Sequence, residues 1–284
     1  MIPSIPLNNG VQIPQLGFGV FQVPPAETYD VVSHALEAGY RHLDTAAVYR
    51  NERGVGKAIA ASGLARAELF VTTKLWNAEQ GSELAVPALA GSLDRLGLDH
   101  VDLYLIHWPL AAKGLFVETY RALQDGPYAD GRIKALGVSN FTETDLRHLL
   151  AETTVVPAAN QVELHPHLTN APLRAFHAEH QIATEAWSPI GGQGGTVLDN
   201  PVIGAIAAAH GKTPAQVVIR WHLQLGNVVI PKSSNPERIR ANTEVFDFEL
   251  SDGDLAQISG LDQGEAGRVG PNPDAMTWDQ RVDY

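Results

Sequence analysis

The chain has 284 residues, 44% of them hydrophobic, which is ample for one large core and too apolar for a disordered protein. Acidic residues outnumber basic ones by 32 to 20, for a formal net charge of -12, so generic binding to DNA, RNA or anionic membranes is disfavoured. The absence of cysteine excludes disulfides, thiolate metal sites and cysteine nucleophiles.

The opening MIPSIPLNNG lacks the basic-then-apolar form of a signal peptide, and no later run is apolar over bilayer length. A soluble, cytoplasmic protein is expected. In IPLNNGVQIP, Asn9-Gly10 lies between two short apolar arms and predicts an N-terminal β-hairpin. From Leu16 onward, short apolar runs alternate with segments of helical spacing: LGFGV, YRHLD, LFVTTK, VDLYLIH, IKALGVS, PAANQVE, IATEAW and NVVIP. About eight strand and helix units result, which points to an α/β protein closed as a barrel. Gly39 marks the end of one helix, Thr213 and Gln216 form a capping box ahead of Pro214, and Asn235-Pro236 starts another helix. Pro87 interrupts a helical stretch from Ser82 to Leu96, so that helix begins late or kinks. No linker or shift of composition divides residues 1–284, and a single domain is expected.

A barrel of this kind carries its site where the C-terminal ends of the strands meet their loops. Asp44 in HLDTAAVY, Lys74 in FVTTKLW and His107 in VDLYLIHWP stand at such ends, with Tyr49 five residues beyond Asp44. These are the parts for reducing a carbonyl. A phenol has an unperturbed pKa of about 10, so Tyr49 needs a nearby cation to act as a proton donor. Lys74 supplies that cation, Asp44 holds it charged, and a neutral His107 donates a hydrogen bond to the substrate oxygen. Nothing in the set supplies hydride, so a cofactor must. A doubly wound sheet is the rival architecture, but LGFGVF is not the glycine fingerprint that fold uses. The Gly191–Gly195 run is either a plain flexible loop or one that closes over a pyrophosphate.

GYRHLDTAAVYRNERGVGKAI, FVTTKLW, VDLYLIHWP, GRIKALGVSNF, NQVELHP and VVIPKSSNPERIRAN together resemble the aldo-keto reductases, from the hairpin to about Asp254. Length and a short C-terminal tail are similar to the bacterial branch typified by 2,5-diketo-D-gluconate reductase. The resemblance implies a (β/α)8 TIM barrel that binds NADPH without a Rossmann domain, with a monomer as the default state. It makes Tyr49 the general acid, Lys74 the group lowering its pKa, Asp44 the partner of Lys74, and His107 the residue that positions the carbonyl. It assigns Ser139, Asn140 and Gln161 to the nicotinamide carboxamide and Trp187, followed by Ser188, to the face of the ring. Lys232, Ser233, Arg238 and Asn242 resemble an adenosine 2′-phosphate site.

Phe21, Val48, Trp76, His107 and Trp108 are expected to line an apolar substrate pocket, with Trp278 in a tail able to fold over its mouth. Such walls tolerate varied small-molecule aldehydes and ketones, including sugar-derived and dicarbonyl compounds. His165 and His167 have no third ligand in a recognisable motif, and no metal is expected. The second reading is an NADPH-binding sensor subunit with little turnover, as in potassium-channel β subunits; the short N-terminal segment favours a free enzyme. A barrel hydrolase or isomerase using Asp44 and His107 leaves Tyr49 and Lys74 unexplained.

Overall fold

The computed structural model describes residues 2–192 and 195–284. Eight strands form one sheet in chain order: β3 (Phe18–Gly19), β4 (His42–Asp44), β5 (Phe70–Leu75), β6 (Val101–Ile106), β7 (Ile133–Ser139), β8 (Ala159–Glu163), β9 (Ala183–Trp187) and β10 (Val228–Val229). Every neighbouring pair is parallel. The ring closes where Leu16 bridges Val229, with Gly17 N–H donating to Val229 O at 2.8 Å and Val229 N–H donating to Gln15 O at 2.9 Å. The chain is therefore a (β/α)8 barrel. Its first and last strands are shorter than the apolar runs LGFGV and NVVIP suggest. Pro231 limits the last one, since it has no N–H to give to a ladder.

The hairpin β1 (Ser4–Pro6) and β2 (Gln12–Pro14) plugs the N-terminal end of the barrel. Its Leu7 and Ile13 pack with Phe70, Leu103, Leu105 and Val228. Its loop is longer than the minimal Asn-Gly turn, running from Leu7 to Val11, and Gly10 takes the positive φ that the reversal needs.

Outside the sheet lie α1 (Thr28–Glu37), α2 (Glu52–Ala61), α3 (Ala85–Leu96), α4 (Phe116–Leu123), α5 (Glu143–Glu152), α6 (Ala171–Glu179), α7 (Pro201–His210), α8 (Pro214–Gln224), α9 (Pro236–Ala241) and α10 (Asp252–Ser259). The late start is the answer for α3: Pro87 falls in its first turn, where its missing N–H costs nothing. The Thr213–Gln216 capping box forms at α8, and a second one, Thr142 with Asp145, opens α5. No helix among the described residues is long and apolar enough to cross a membrane. Of the Gly191–Gly195 loop, Gln193 and Gly194 lie outside the described residues.

Candidate active site

Strand alternation explains how the polar set assembles. Residues two apart on a strand face the same side, so Asp44 and Lys74, at the ends of adjacent strands, turn into the barrel together. Lys74 is fully buried, and its Nζ donates to Asp44 Oδ1 at 2.6 Å and to Thr45 O at 3.0 Å. Burial pushes the lysine pKa down, but Asp44 and Tyr49 outweigh it and hold it above its ordinary value, so the ammonium stays charged. The second carboxylate oxygen of Asp44 accepts from Gln161 Nε2 at 2.8 Å. Both oxygens are thus engaged, and Asp44 holds Lys74 fixed.

Tyr49 sits in the 3-10 turn Ala47–Tyr49 that follows β4, which lifts its ring over the strand end. Lys74 Nζ lies 5.2 Å from the ring centroid, and the rings of Phe21 and His107 lie 5.0 and 5.7 Å away. Burial raises the phenol's pKa above its ordinary value against the pull of Lys74. Tyr49 therefore carries its proton at neutral pH. His107, just past β6, is pushed well below its ordinary value, first by burial and then by Lys74, and is neutral. Its Nδ1 is buried with no hydrogen-bond partner among the described residues. An unpaired acceptor costs less there than an unpaired N–H, which favours the tautomer with the proton on Nε2.

These groups open on a cavity of about 830 Å³. One end is walled by Phe21, Val48, Trp76, His107 and Trp108, together with Trp278 from the tail. The tail is pinned across this end: Trp76 Nε1 donates to Gln280 O at 2.9 Å, Asn77 Nδ2 to Trp278 O at 2.8 Å, and the two indoles meet at 4.8 Å. Lys232, Ser233 and Arg238 also line the cavity. Neither cation is in an ion pair among the described residues.

A model of the aldo/keto reductase family matches residues 15–263. The chain belongs to the aldo/keto reductase family. It is 49% identical to methylglyoxal reductase DkgA of Yersinia pestis over 99% of both chains. It is 50% identical to morphine 6-dehydrogenase of Pseudomonas putida, over 95% of this chain and 94% of that one. Among solved structures, a Gox0644 mutant in complex with NADPH superposes with a TM-score of 0.93 at 45% identity, over 98% of this chain and all of that one. This reductase is accordingly an NADP-dependent oxidoreductase.

The reductase's cavity also has a polar lining. Ser139, Asn140, Gln161, Trp187 and Ser188 line it as one connected patch. Trp187 Nε1 donates to Asn140 Oδ1 at 2.8 Å, Asn140 Nδ2 donates to His107 O at 3.0 Å, and Ser139 Oγ donates to Gln161 O at 2.8 Å. Asn140 and Ser188 hold positive φ values of 63° and 47°. That is uncommon for side-chain-bearing residues, and such strain clusters at binding surfaces. Asn242 stands apart: it is buried at the end of α9 and is not among the cavity-lining residues.

Two features went unseen in the sequence. Glu163, at the end of β8, accepts from Val269 N–H at 2.7 Å and Gly270 N–H at 2.9 Å and so moors the start of the tail. Gly270 passes so close to the Trp187 ring and this carboxylate that a Cβ there would clash with both. Glu185, buried inside the barrel on β9, is the other. A lone carboxylate in the apolar run IATEAW was its signal.

Proposed function

We propose that this reductase converts aldehydes and ketones to alcohols with NADPH, Tyr49 protonating the carbonyl oxygen. The observation that carries the reading is the buried chain from Asp44 through Lys74 to Tyr49, ending beside a neutral His107 at an apolar cavity. When bound, NADPH supplies the hydride that makes the new C–H bond.

As negative charge grows on the oxygen, the Tyr49 hydroxyl gives up its proton, and the fixed charge of Lys74 stabilises the phenolate left behind. A donor must hold its proton until that moment, which agrees with the raised pKa of Tyr49. His107, protonated on Nε2, donates a hydrogen bond that orients the carbonyl. Ser139, Asn140 and Gln161 would hold the carboxamide, Trp187 and Ser188 the ring, and Lys232, Ser233 and Arg238 the 2′-phosphate.

Substrate breadth follows from the walls. The two relatives are described as acting on methylglyoxal and on morphine, molecules of different size. Apolar and aromatic walls separate such ligands weakly, so the same is expected of Trp76, Trp108 and Trp278. The test follows NADPH oxidation against sugars, keto acids, α-dicarbonyls and aromatic aldehydes, for the wild type and Tyr49→Phe. Turnover by the wild type and a loss on the order of 10²-fold or more in the variant, with NADPH still bound, is the expected result. Equal turnover removes Tyr49 as donor. NADPH binding with no turnover on any carbonyl replaces the enzyme with a sensor.

A further inference from the structure

Glu185 has no part in that reaction as drawn, yet it lies one layer beneath it. It stands two residues before Trp187 on β9 and pairs in register with Gln161 of β8, so its side chain enters the barrel below the Asp44–Lys74 pair. It is wholly inaccessible, and neither of its oxygens makes a hydrogen bond of good geometry among the described residues. The nitrogen within ion-pair distance is His42 Nε2, at 3.6 Å. That ring is itself buried and pushed down to about 3, so it brings no charge near neutrality. A carboxylate so placed keeps its proton rather than ionise unpaired.

We propose that Glu185 is a positioning residue, a neutral acid under the site whose ionisation in alkali offsets the charge of Lys74 and weakens Tyr49 as a proton donor. This rests on the reading of Tyr49 as that donor. The surrounding charges can be named from each neighbouring element. From β4 come His42 and Asp44, from β5 Lys74, from the turn after β4 Tyr49, and from β8 the uncharged Gln161; β10 and β3 contribute valines, a phenylalanine and a glycine. Burial, then Asp44, lifts Glu185 to about 8, against the pull of Gln161 and Lys74. A negative Glu185 in turn raises the pKa of Tyr49. Neutral Glu185 therefore leaves Lys74 with a single negative counter-charge, and ionised Glu185 gives it two.

The test is the pH profile of a single turnover at saturating NADPH, each protein normalised to its own maximum. The wild type should lose rate through a limb centred near pH 8, because ionised Glu185 raises the pKa of Tyr49 and makes it a poorer proton donor. In Glu185→Gln and Glu185→Leu, which cannot ionise, that limb should move to higher pH. A limb unchanged in both variants overturns the proposal. Should neither variant fold, a wild-type rate that stays flat through pH 8 overturns it equally.

A second readout needs no turnover. The folded pKa of Glu185 is raised from 4.5 to about 8, so its contribution to stability is whole below 4.5 and fades as pH rises through 8. Wild type and Glu185→Gln should diverge in denaturant midpoint across that window, and parallel curves refute the neutral acid. Failure of the parent reading looks different, since a wild type that reduces no carbonyl at any pH removes the donor itself.

Discussion

Arg238 and Lys232 line the cavity, exposed and half-buried respectively, in a protein whose net charge of -12 repels anions overall. Selection for a 2′-phosphate must therefore be local, because fields beyond about 8 Å are largely screened at physiological salt. A guanidinium gripping a phosphate contributes roughly 1.5–3 kcal/mol, a factor of about 10 to 150 in affinity. Arg238→Ala should weaken NADPH by that factor and leave NADH almost unchanged, as read by fluorescence titration with Trp187 as reporter. Lys232→Ala should act in the same direction and less, since an ammonium is a point charge rather than a planar fork. Equal weakening of both cofactors would show that Arg238 does not read the phosphate. Lys74→Met should match Tyr49→Phe in lost turnover, because it removes the charge proposed to stabilise the phenolate.

At the scale of elements, the tail is held by polar bonds at both of its ends. Burial pushes Glu163 up, but His165 and the amides of Val269 and Gly270 outweigh it and keep its carboxyl below the ordinary value. A depressed folded pKa contributes stability that is present above the unfolded value of 4.5 and is lost as pH falls through the folded one. Glu163→Gln keeps the size and loses the charge. It should speed hydrogen exchange at Val269 and Gly270 and raise KM for bulky carbonyls more than it lowers turnover. Unchanged exchange at both amides would mean that the mooring lies elsewhere.

The strands and the proposed catalytic set were readable because each answers to a local rule: buried parallel strands are continuous apolar runs, and Asp44, Lys74 and His107 stand at their ends. Glu163 and Glu185 were not. Their roles depend on partners more than 100 positions away, such as Gly270 for Glu163 at a separation of 107, and no spacing rule reaches so far. Asn242 shows the converse, a residue that matches a motif yet lies off the cavity lining. Trp278 was legible as an aromatic in a tail, but only the Asn77 and Trp76 bonds reveal where that tail goes.

Over the whole molecule, buried histidines govern the response to acid. His42, His177 and His222 are each pushed down to about 3, chiefly by burial. His177 is locked between Asn160 at 3.0 Å and Thr184 at 2.8 Å, and His222 bonds Pro189 O at 3.0 Å. In the unfolded chain each takes up a proton near its ordinary value of 6.5. With folded values depressed, the three contribute stability that is whole above 6.5 and is lost as pH falls towards 3. Each accounts for about 1.4 kcal/mol per pH unit in that window. Glu185 works in the opposite sense up to about 8. Tm should therefore peak near neutrality and fall steeply below pH 6.5, and His222→Gln should flatten the acid side. A Tm independent of pH between about 4 and 6.5 would show that these rings are not held neutral.

The seam between Leu16 and Val229 has a consequence for synthesis. Gln15 Nε2 also donates across it to Asn227 O, a separation of 212 residues. A ribosome adding about 5–20 residues per second holds the opening strand for many seconds before its partner emerges. During that wait Gly17 and Gly19 have no acceptors for their amides, and the growing sheet has two raw edges. Hairpin and early strands can dock in order as they appear, but the ring cannot shut until β10, which begins at residue 228 of 284, has been made. A nascent chain stalled before residue 228 should therefore be the species that chaperones hold, and release past the seam the moment at which protease resistance appears.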